Sequence, residues 1–509
     1  MKQRYMLILA LILFAGQGLW AQSQGNCGFV PTADMIQRTL ANKAAAELAV
    51  NFREGETYVP IKFHLISKLD GSFRVEEHKV FDALCYLNEA YAEHGVQFYI
   101  YQGFDYINNS VAWEYPEDNL LLLNSRKEPR AMNIYIGNSA NDDTSPNPGT
   151  TLAYYNPNYD WIICRRAEVN ASSSTLAHEI GHFFSLLHTF NGWECSPWDA
   201  SIHGSPVSST VAPCASLEDG EPVDVELADG SNCDTSGDFL CDTPADYNFG
   251  LFDNNDCVYN YSCLDPNGDS MDPMENNFMS YFQNCSSYQF TAQQIGLVLA
   301  DVASRTALET DFTPIAEEIT ELPILEYPVN GVEIAYNTVD FKWSASAGAD
   351  RYILEYDINA NFNLVPERIL VWGTFKSVDG PFIQNKEYFW RVRPANSYFT
   401  CPVFSASGTF NTTDAVAVNE VTEVANWTIM PNPVAAGADL VVDVQASASF
   451  EGQLIVRALD GRAVYQMAAS FENGANKTLI PTADMASGVY LISIVTTNGV
   501  VTERVIVGR

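Results

Sequence analysis

The segment His178-Glu-Ile-Gly-His-Phe-Phe-Ser-Leu-Leu-His188 contains three of the seven histidines in a chain of 509 residues. The pattern H-E-x-x-H arises by chance on the order of once in a hundred chains with so few histidines. Residues four apart share one face of a helix, so His178 and His182 can present imidazole nitrogens to one cation. Glu179 points toward the same cleft. The segment therefore predicts a metal-binding helix, with N-cap candidates at residues 172–174.

The third histidine reaches the same cation only if the helix ends before it. In a continuous helix, His188 would lie about 9 Å along the axis from His182 and be rotated by about 120°. The chain must therefore leave the helix between Phe183 and Leu187 and turn back. The segment resembles the metzincin pattern H-E-x-x-H-x-x-G-x-x-H, whose glycine corresponds to Ser185. A left-handed serine costs roughly 1–2 kcal/mol, which a zinc site of more than about 10 kcal/mol can outweigh.

Further motifs extend this resemblance to roughly residues 27–310. They are Asn277-Phe-Met-Ser-Tyr281 with Cys285 behind it, Phe290-Thr-Ala-Gln-Gln294, Asp238-Phe-Leu-Cys-Asp-Thr-Pro244 and the tail of His188-Thr-Phe190. Together they resemble the pappalysin-like metzincins, also called the cytophagalysin group. The resemblance implies that Met279 forms an apolar floor beneath the histidines and that Tyr281 approaches the metal or the tetrahedral intermediate. Ordinary core packing is the alternative for both residues.

Zinc chemistry defines the expected activity. Three neutral imidazoles leave a fourth position for water, whose pKa falls toward 7, while Zn²⁺ polarises a peptide carbonyl. Glu179 is the general base that accepts the proton of the water and delivers it to the leaving amine. The sequence thus predicts a secreted zinc endopeptidase. The family resemblance implies that residues 151–155 form a strand that pairs with an extended substrate.

Two alternatives differ from this interpretation. Another class of zincin would use a downstream glutamate as the third ligand, with candidates at Glu194, Glu218 and Glu221; their loop-like surroundings favour His188. A secreted adhesin or binding protein with an inactive protease-like domain is the non-enzymatic alternative. The presence of Glu179 favours the enzyme, because an inactive domain has no physical need for that carboxylate.

The composition is that of a globular, acidic, multidomain protein. Hydrophobic residues make up 47% of the chain and charged residues 18%, with 27 basic against 63 acidic side chains and a net charge of −36. No basic cluster stands out, and a nucleic-acid partner is disfavoured because such affinity depends on cationic neutralisation of phosphates. The length favours roughly three domains or more.

Residues 1–21 read as a secretory signal peptide. Lys2 and Arg4 precede an apolar run over residues 6–15, which is too short for the roughly 20 residues of a membrane span, and Ala21 ends the segment. No transmembrane anchor is expected elsewhere. The eleven cysteines of an exported chain imply disulfides, and seven of them lie in the loop-rich residues 195–285.

Cys27 is a candidate latency ligand. Asn26-Cys-Gly28 resembles the Cys-Gly of pappalysin-like propeptides, in which a thiolate fills the open zinc position and keeps the zymogen latent. Activation then follows cleavage near Arg53. Cys401 can equally be the odd thiol in an odd cysteine count.

A calcium site is a further candidate. Asp265, Asn267, Asp269 and Asp272, with Glu275 nearby, gather hard oxygen ligands around a glycine. The spacing is not that of an EF-hand, and a solvated acidic loop is the alternative.

The pattern of elements predicts a multidomain fold. Alternating apolar strands and a long amphipathic helix at residues 76–94 indicate an α+β, metzincin-like catalytic domain with a mixed sheet and an active-site helix. Two β-sandwich domains follow. The expected units are a signal peptide at 1–21, a propeptide-like segment at 22–55, the protease domain at 56–312, a domain resembling a fibronectin type III sandwich at 324–412 and a C-terminal domain at 427–509.

The C-terminal domain carries four ordered motifs. They are Met430-Pro-Asn-Pro433, Leu459-Asp-Gly-Arg462, Ser487-Gly-Val-Tyr490 and Val505-Ile-Val507. Together they resemble the C-terminal sorting domain of type IX secretion. The resemblance implies that the type IX machinery is a partner, that the chain passes a Gram-negative outer membrane, and that it is then released or attached to the surface.

Overall fold

A computed structural model describes most of the chain. The described residues are 31–48, 55–92, 95–140, 151–212, 222–252, 257–311, 313–364, 366–380, 382–413, 421, 423–458, 461–483, 485–496 and 499–508. The predicted signal peptide and Cys27 lie outside these ranges. The α-helices within them are α1 Ala33–Leu48, α2 Glu77–Ala92, α3 Ser110–Glu114, α4 Leu120–Arg126, α5 Thr175–Phe183, α6 Ala200–His203 and α7 Ala292–Ser304.

The N-terminal region is built on a six-stranded mixed sheet. Its strands are β1 Thr57–Ser67, β2 Val96–Ile100, β3 Asp105–Asn108, β4 Met132–Gly137, β5 Ala153–Asn156 and β6 Trp161–Arg165. The order is β2-β1-β4-β6-β5, and β3 also pairs with β1. All pairs are parallel except β5 with β6, so β5 is an antiparallel edge strand.

Both faces of this sheet are covered, as a largely parallel sheet requires. The alternating residues Val59, Ile61, Phe63 and Leu65 of β1 belong to a core shared with α2, α5 and α7. The opposite face packs Ile66 and its neighbours against α3 and α4. The predicted catalytic-domain strands and the long helix are present. Strand β3 and the short helices α3 and α4, with seven residues or fewer, carry little periodicity and were not anticipated.

A long segment of loops separates α5 from α7. It holds the two-residue strands β7 Thr210–Val211 and β8 Val223–Asp224. Disulfides join Cys233 to Cys241 and Cys257 to Cys285, in agreement with the prediction of a disulfide-stapled loop region.

The second region is a β-sandwich of two sheets. Its strands are β9 Leu325–Tyr327, β10 Val332–Ala335, β11 Thr338–Trp343, β12 Arg351–Asp357, β13 Glu367–Val371, β14 Phe375–Asp379, β15 Glu387–Ala395 and β16 Gly408–Thr413. The sheet orders are β10-β16-β15-β12-β13 and β14-β11-β9. Trp343 and Trp390 lie in its core. Cys401, after β15, is bonded to Cys85 of α2, so the alternative that left Cys401 as the odd thiol is wrong.

The third region is a second sandwich with its own core. Its strands are β17 Val424–Met430, β18 Val434–Ala435, β19 Leu440–Ala446, β20 Phe450–Ala458, β21 Ala463–Phe471, β22 Gly474–Ile480, β23 Gly488–Val495 and β24 Val500–Gly508. The sheets are β17-β19-β22 and β18-β24-β23-β20-β21. Gly461 and Gly499 lie in the connections of the antiparallel pairs β20–β21 and β23–β24. Within the described ranges, no helix has the length and apolar character to cross a membrane.

Candidate metal centre

The helix α5 carries two of the three histidines and ends directly after them. It begins at Thr175, where the N–H is accepted by Oγ of Ser173, while Ser174 occupies the N-cap without a side-chain cap. His178, Glu179 and the two turns around them are buried. The helix ends at Phe183, directly after the second histidine.

The chain turns back at the predicted place. Ser185 has φ 67°, and the N–H of Leu186 donates to the carbonyl of Gly181 at 2.9 Å, closing the end of α5. His188 then returns toward the helix. The prediction that the helix breaks between Phe183 and Leu187 is confirmed, and the left-handed residue is the serine at the position of the metzincin glycine.

The turn brings three imidazoles together. Nε2 of His182 lies 3.1 Å from Nε2 of His178 and 3.1 Å from Nε2 of His188. On the far side of each ring, Nδ1 has a partner: the carbonyl of Phe278 at 2.7 Å for His178, and the carbonyl of Leu186 at 2.8 Å for His182. Carbonyls only accept, so these two Nδ1 atoms carry the hydrogen and Nε2 keeps its lone pair.

Burial keeps the three rings neutral. It lowers the pKa of His178 to about 4. The pKa values of His182 and His188 fall well below their ordinary range, first because of burial and then because of the neighbouring imidazoles. Converging lone pairs of neutral imidazoles repel one another unless a cation lies between them. This donor set fits the three-nitrogen coordination of a catalytic zinc ion.

The segment below the histidines is held by close packing. The side chain of Met279 is fully buried, and a Cβ added to Gly181 would lie 2.4 Å from its Sδ. Only glycine at the centre of the motif leaves room for this sulfur. Asn277 exchanges two side-chain hydrogen bonds with Gln294, at 2.9 and 3.0 Å, and Oδ1 of Asn277 accepts the N–H of Met279 at 2.8 Å. The methionine is therefore fixed against Gly181 of α5.

A cleft of about 510 Å³ opens at His178. Its lining includes His178, Glu179, Tyr281 and Leu152, the residue before the edge strand β5. The ring of Tyr281 packs edge-on against His188 with centroids 5.0 Å apart. Glu179 and Tyr281 thus both line this cleft.

Comparison with known proteins identifies the catalytic region. Residues 127–210, which include the whole histidine segment, match the family described as pregnancy-associated plasma protein-A. An extracellular metalloprotease of Neurospora crassa is 30% identical over 217 residues, covering 39% of this chain and 73% of that protein. The chain belongs to the pappalysin family of metalloproteases. Membership of this family implies a metal, for which zinc is typical.

Other relatives of this pappalysin are similar over a comparable length. An extracellular metalloprotease of Colletotrichum graminicola is 27% identical over 235 residues, covering 41% of this chain and 81% of that protein. One of Sordaria macrospora is 25% identical over 291 residues, covering 53% of this chain and 85% of that protein. Among solved structures, the chicken CNTN1 FN1-FN3 domains overlap 40% of this chain and 72% of that chain with 13% identity and a TM-score of 0.17, too low to support an inference.

Residues 428–508 match the secretion system C-terminal sorting domain. The pappalysin is therefore a metalloendopeptidase that is secreted or attached to the cell surface, as the sequence predicts. This match coincides with the second sandwich, β17 to β24.

Glu194 has a position that sequence reasoning did not anticipate. Its Oε1 lies 3.5 Å from Nδ1 of His188, on the side of the ring away from the other imidazoles. Burial raises the pKa of Glu194 to about 7. The residue considered as an alternative ligand thus lies behind His188, where a carboxylate can orient the ring.

In the predicted calcium loop, the side chain of Asp265 accepts hydrogen bonds from backbone N–H groups. Oδ1 of Asp265 accepts the N–H groups of Asn267 at 2.9 Å and Asp269 at 2.8 Å, and Oδ2 accepts the N–H of Ala228 at 3.0 Å. Asp265 is buried, whereas Asn267, Asp269 and Asp272 are exposed.

A buried carboxylate cluster lies elsewhere in the loop segment and was missed. Burial raises the pKa of Glu226, with Asp238 and Asp246 adding to the effect, and burial likewise raises the pKa of Asp238. Asp238 Oδ2 is buried without a hydrogen-bond partner. Only the acidic composition of the loop segment hinted at this cluster, because its members come from separate loops.

Proposed function

We propose that this protein is a secreted zinc endopeptidase in which His178, His182 and His188 bind Zn²⁺ and Glu179 is the general base. The observation that carries the proposal is the convergence of three neutral Nε2 atoms, each on a ring whose Nδ1 is held from behind. Such convergence is costly without a cation and suited to one.

The residues around the centre have distinct roles in peptide hydrolysis. A bound zinc ion supplies Lewis acidity toward the peptide carbonyl and lowers the pKa of water. Glu179 takes the proton from the attacking water on its carboxylate and delivers it to the leaving amine. Tyr281 donates a hydrogen bond to the oxyanion that develops on the substrate carbonyl. The edge strand β5 pairs with an extended substrate, and Met279 supports the imidazoles from below.

The test compares bound zinc and casein hydrolysis in the activated protein and its variants. Glu179→Gln removes the base but keeps the shape of the side chain, so we expect zinc to remain and hydrolysis to fall by about 100-fold or more. His182→Ala should lose zinc. Glu89→Gln changes an exposed glutamate of α2 and serves as the matched control. Unchanged hydrolysis in Glu179→Gln would reject the base, whereas a zinc-loaded parent without hydrolysis would favour the adhesin alternative.

We also propose that the chain is made as a latent zymogen with Cys27 at the open zinc position. Its support is the sequence resemblance of Asn26-Cys-Gly28 to pappalysin-like propeptides. In the unprocessed protein, Cys27→Ser should raise peptide hydrolysis, because serine is a poor zinc ligand. Equal latency of the variant and the parent would reject this role.

We propose calcium as a second cofactor. The loop of Asp265, Asn267, Asp269 and Asp272 is one candidate site, supported by exposed carboxylates beside a buried one. The buried carboxylate of Asp238 is the other, supported by its Oδ2 atom without a hydrogen-bond partner. If calcium binds, it should raise the unfolding midpoint of the parent. Loss of that shift in Asp269→Asn favours the loop, and loss in Asp238→Asn favours the buried site.

We propose that the domains have the boundaries that the sequence predicts. Residues 1–21 direct export, 22–55 precede the protease domain at 56–312, and the sandwich at 324–412 leads to the sorting domain at 427–509. Type IX machinery recognises the last domain and removes it, releasing the enzyme or attaching it to the surface. Mass spectrometry of the exported protein tests both the signal cleavage after Ala21 and the loss of the sorting domain.

A further inference from the structure

The helix α1 lies against the end of the active-site helix. It packs on α7, with Met35 in the core that also contains the apolar residues of α5. Three of its side chains, Arg38, Thr39 and Asn42, extend to the turn that follows α5. The N-terminal segment therefore meets the catalytic region at the place where the chain turns back toward His188.

Ser185 is the residue in this turn that requires support. It is fully buried and has φ 67°, a conformation that disfavours any side chain with a Cβ. Its carbonyl accepts the hydroxyl of Thr39 at 2.7 Å, and its own Oγ accepts the amide of Asn42 at 2.8 Å. Glycine at this position would avoid the strain but could not accept the bond from Asn42.

A buried acid links the same helix to the end of α5. Asp301 of α7 accepts from Arg38 at 2.5 and 2.8 Å, from Asn42 at 2.7 Å and from Arg305 at 2.6 Å. Arg38 also donates to the carbonyl of Phe183 at 3.1 Å, one of the final carbonyls of α5 that lack a partner within the helix. Asp301 is fully buried, and the two guanidiniums compensate its charge.

We propose that α1 is a positioning element of the metal centre. Thr39 and Asn42 hold Ser185 in the left-handed conformation, and the turn at Ser185 holds His188 against the other two imidazoles. The inference rests on the proposed function, because it requires His188 to be a zinc ligand. It assigns α1, within the segment that the sequence reads as propeptide-like, to the working enzyme, and therefore requires that any activating cleavage lies before Ala33 rather than near Arg53.

The test measures the rate of zinc release to a chromogenic chelator from the full chain. Asn42→Leu removes both amide hydrogen bonds at similar volume, and Thr39→Val removes the hydroxyl with little change of shape. We expect each variant to release zinc about ten-fold faster than the parent. Removing a buried hydrogen bond leaves its partner group unsatisfied, and this loss changes an equilibrium constant by about ten-fold. Gln37→Leu makes the same type of change at an exposed position of α1 and should stay within about two-fold.

Two further variants separate positioning from general stability. Leu84→Ala in the core of α2 lowers the unfolding midpoint without touching the turn, and its zinc release should match that of the parent. In a Ser185→Gly background, glycine tolerates φ 67° and the hydroxyl partner is gone. Asn42→Leu should therefore accelerate release there by less than about three-fold. An equal acceleration in both backgrounds would overturn the proposal, because Asn42 would then act independently of Ser185.

The outcomes for the parent protein separate this inference from the proposed function. If the parent binds one zinc ion and the His182→Ala variant binds none, the proposed metal centre is supported. Equal rates of zinc release from Asn42→Leu and Gln37→Leu would then reject only the role of α1. If the parent binds no zinc, both the centre and its positioning by α1 are rejected.

Discussion

The two sandwiches differ in how they join the rest of the chain. The first sandwich shares a core with the catalytic region, to which it contributes Ile353 and Ala395. Asp82 of α2 forms ion pairs with Arg393 at 2.5 Å and Arg368 at 3.2 Å across the same junction. The second sandwich has a separate core, and its described junction with the first is marked by Arg457 over the ring of Phe375 at 4.1 Å.

The aromatic contacts strengthen this difference. Tyr398, in the loop after β15, stacks on Tyr99 with ring centroids 4.3 Å apart and donates to Asp311 at 2.6 Å. The disulfide Cys85–Cys401 closes the same junction. The first sandwich is thus joined to the catalytic region, and the two together form the catalytic body. The sorting domain has the independent core that a removable unit needs.

The largest expected effect comes from breaking the buried ion pairs of the first junction. Asp82→Ala leaves the buried guanidinium of Arg393 without its carboxylate, whereas Arg368 keeps its ion pair with Glu355, and we expect the free energy of unfolding to fall by about 3–5 kcal/mol. Urea unfolding, followed separately for the catalytic body and the sorting domain, measures the change. Only the first transition should move.

The control for Asp82 lies in the second sandwich. Asp443→Ala removes an exposed ion pair with Lys477, whose nitrogen lies 3.2 Å away, and should cost about 0–1 kcal/mol. Comparable losses in the two variants would mean that the first junction is not the more strongly coupled one.

Removal of the long-range disulfide should have the next largest effect. Cys85→Ser combined with Cys401→Ser opens a link between residues 316 apart, and we expect a loss of about 2–4 kcal/mol in the catalytic body. The corresponding pair of serines at Cys233 and Cys241, which are only 8 apart, should cost less because the closed loop is shorter. An equal or larger loss for the short loop would contradict this chain-entropy explanation.

The pH dependence of folding stability should also differ between the catalytic body and the sorting domain. In EDTA, the lowered pKa values of the three buried histidines make the catalytic body gain stability as the pH rises toward about 6.5. The raised pKa values of Glu226 and Asp238 act in the opposite direction from about pH 4.5 upward, because the folded state retains protons that the unfolded state has lost. Above about pH 6.5, where the histidine gain is complete, only this loss remains. Each retained proton then costs about 1.4 kcal/mol per pH unit.

Thermal unfolding between pH 5 and 9 tests this expectation. The midpoint of the catalytic body should pass through a maximum, whereas the sorting domain should show no such maximum from these groups. Asp238→Asn should flatten the decline on the alkaline side. A decline that persists unchanged in this variant would assign it to other groups.

The smallest effect is expected from removing the sorting domain. A purified, activated chain that ends at Thr413 should keep the casein hydrolysis and catalytic-body unfolding midpoint of the full chain, because the two cores are separate. A large loss of either property would show that the second junction contributes to the enzyme.

The sequence predicted features whose geometry is local. His178 and His182 lie four residues apart, so helix geometry alone brings them to one face. The need for a break before His188 follows from the same geometry, and the alternation of β1 identified its core face. The role of Met279 came from a resemblance, and the space at Gly181 explains how its sulfur fits.

The features that were missed depend on distant residues. Asn42 and Ser185 are 143 residues apart, and no periodicity in either segment indicates that they meet. Glu194 was considered for the metal itself, but its side of the His188 ring depends on the path of the loop. The docking of the first sandwich on the catalytic region was not predicted, because a strand pattern carries no information about which surface of a domain is in contact with another.

By itself, the sequence determined the residue types and the spacing of the candidate metal centre, which follow from side-chain identity and backbone geometry over eleven residues. Only the tertiary structure decided what holds that centre in place. Burial, shared cores and hydrogen bonds between distant segments depend on how the whole chain packs. The support of Ser185 by α1 and the joining of one sandwich to the catalytic body are therefore properties of the fold.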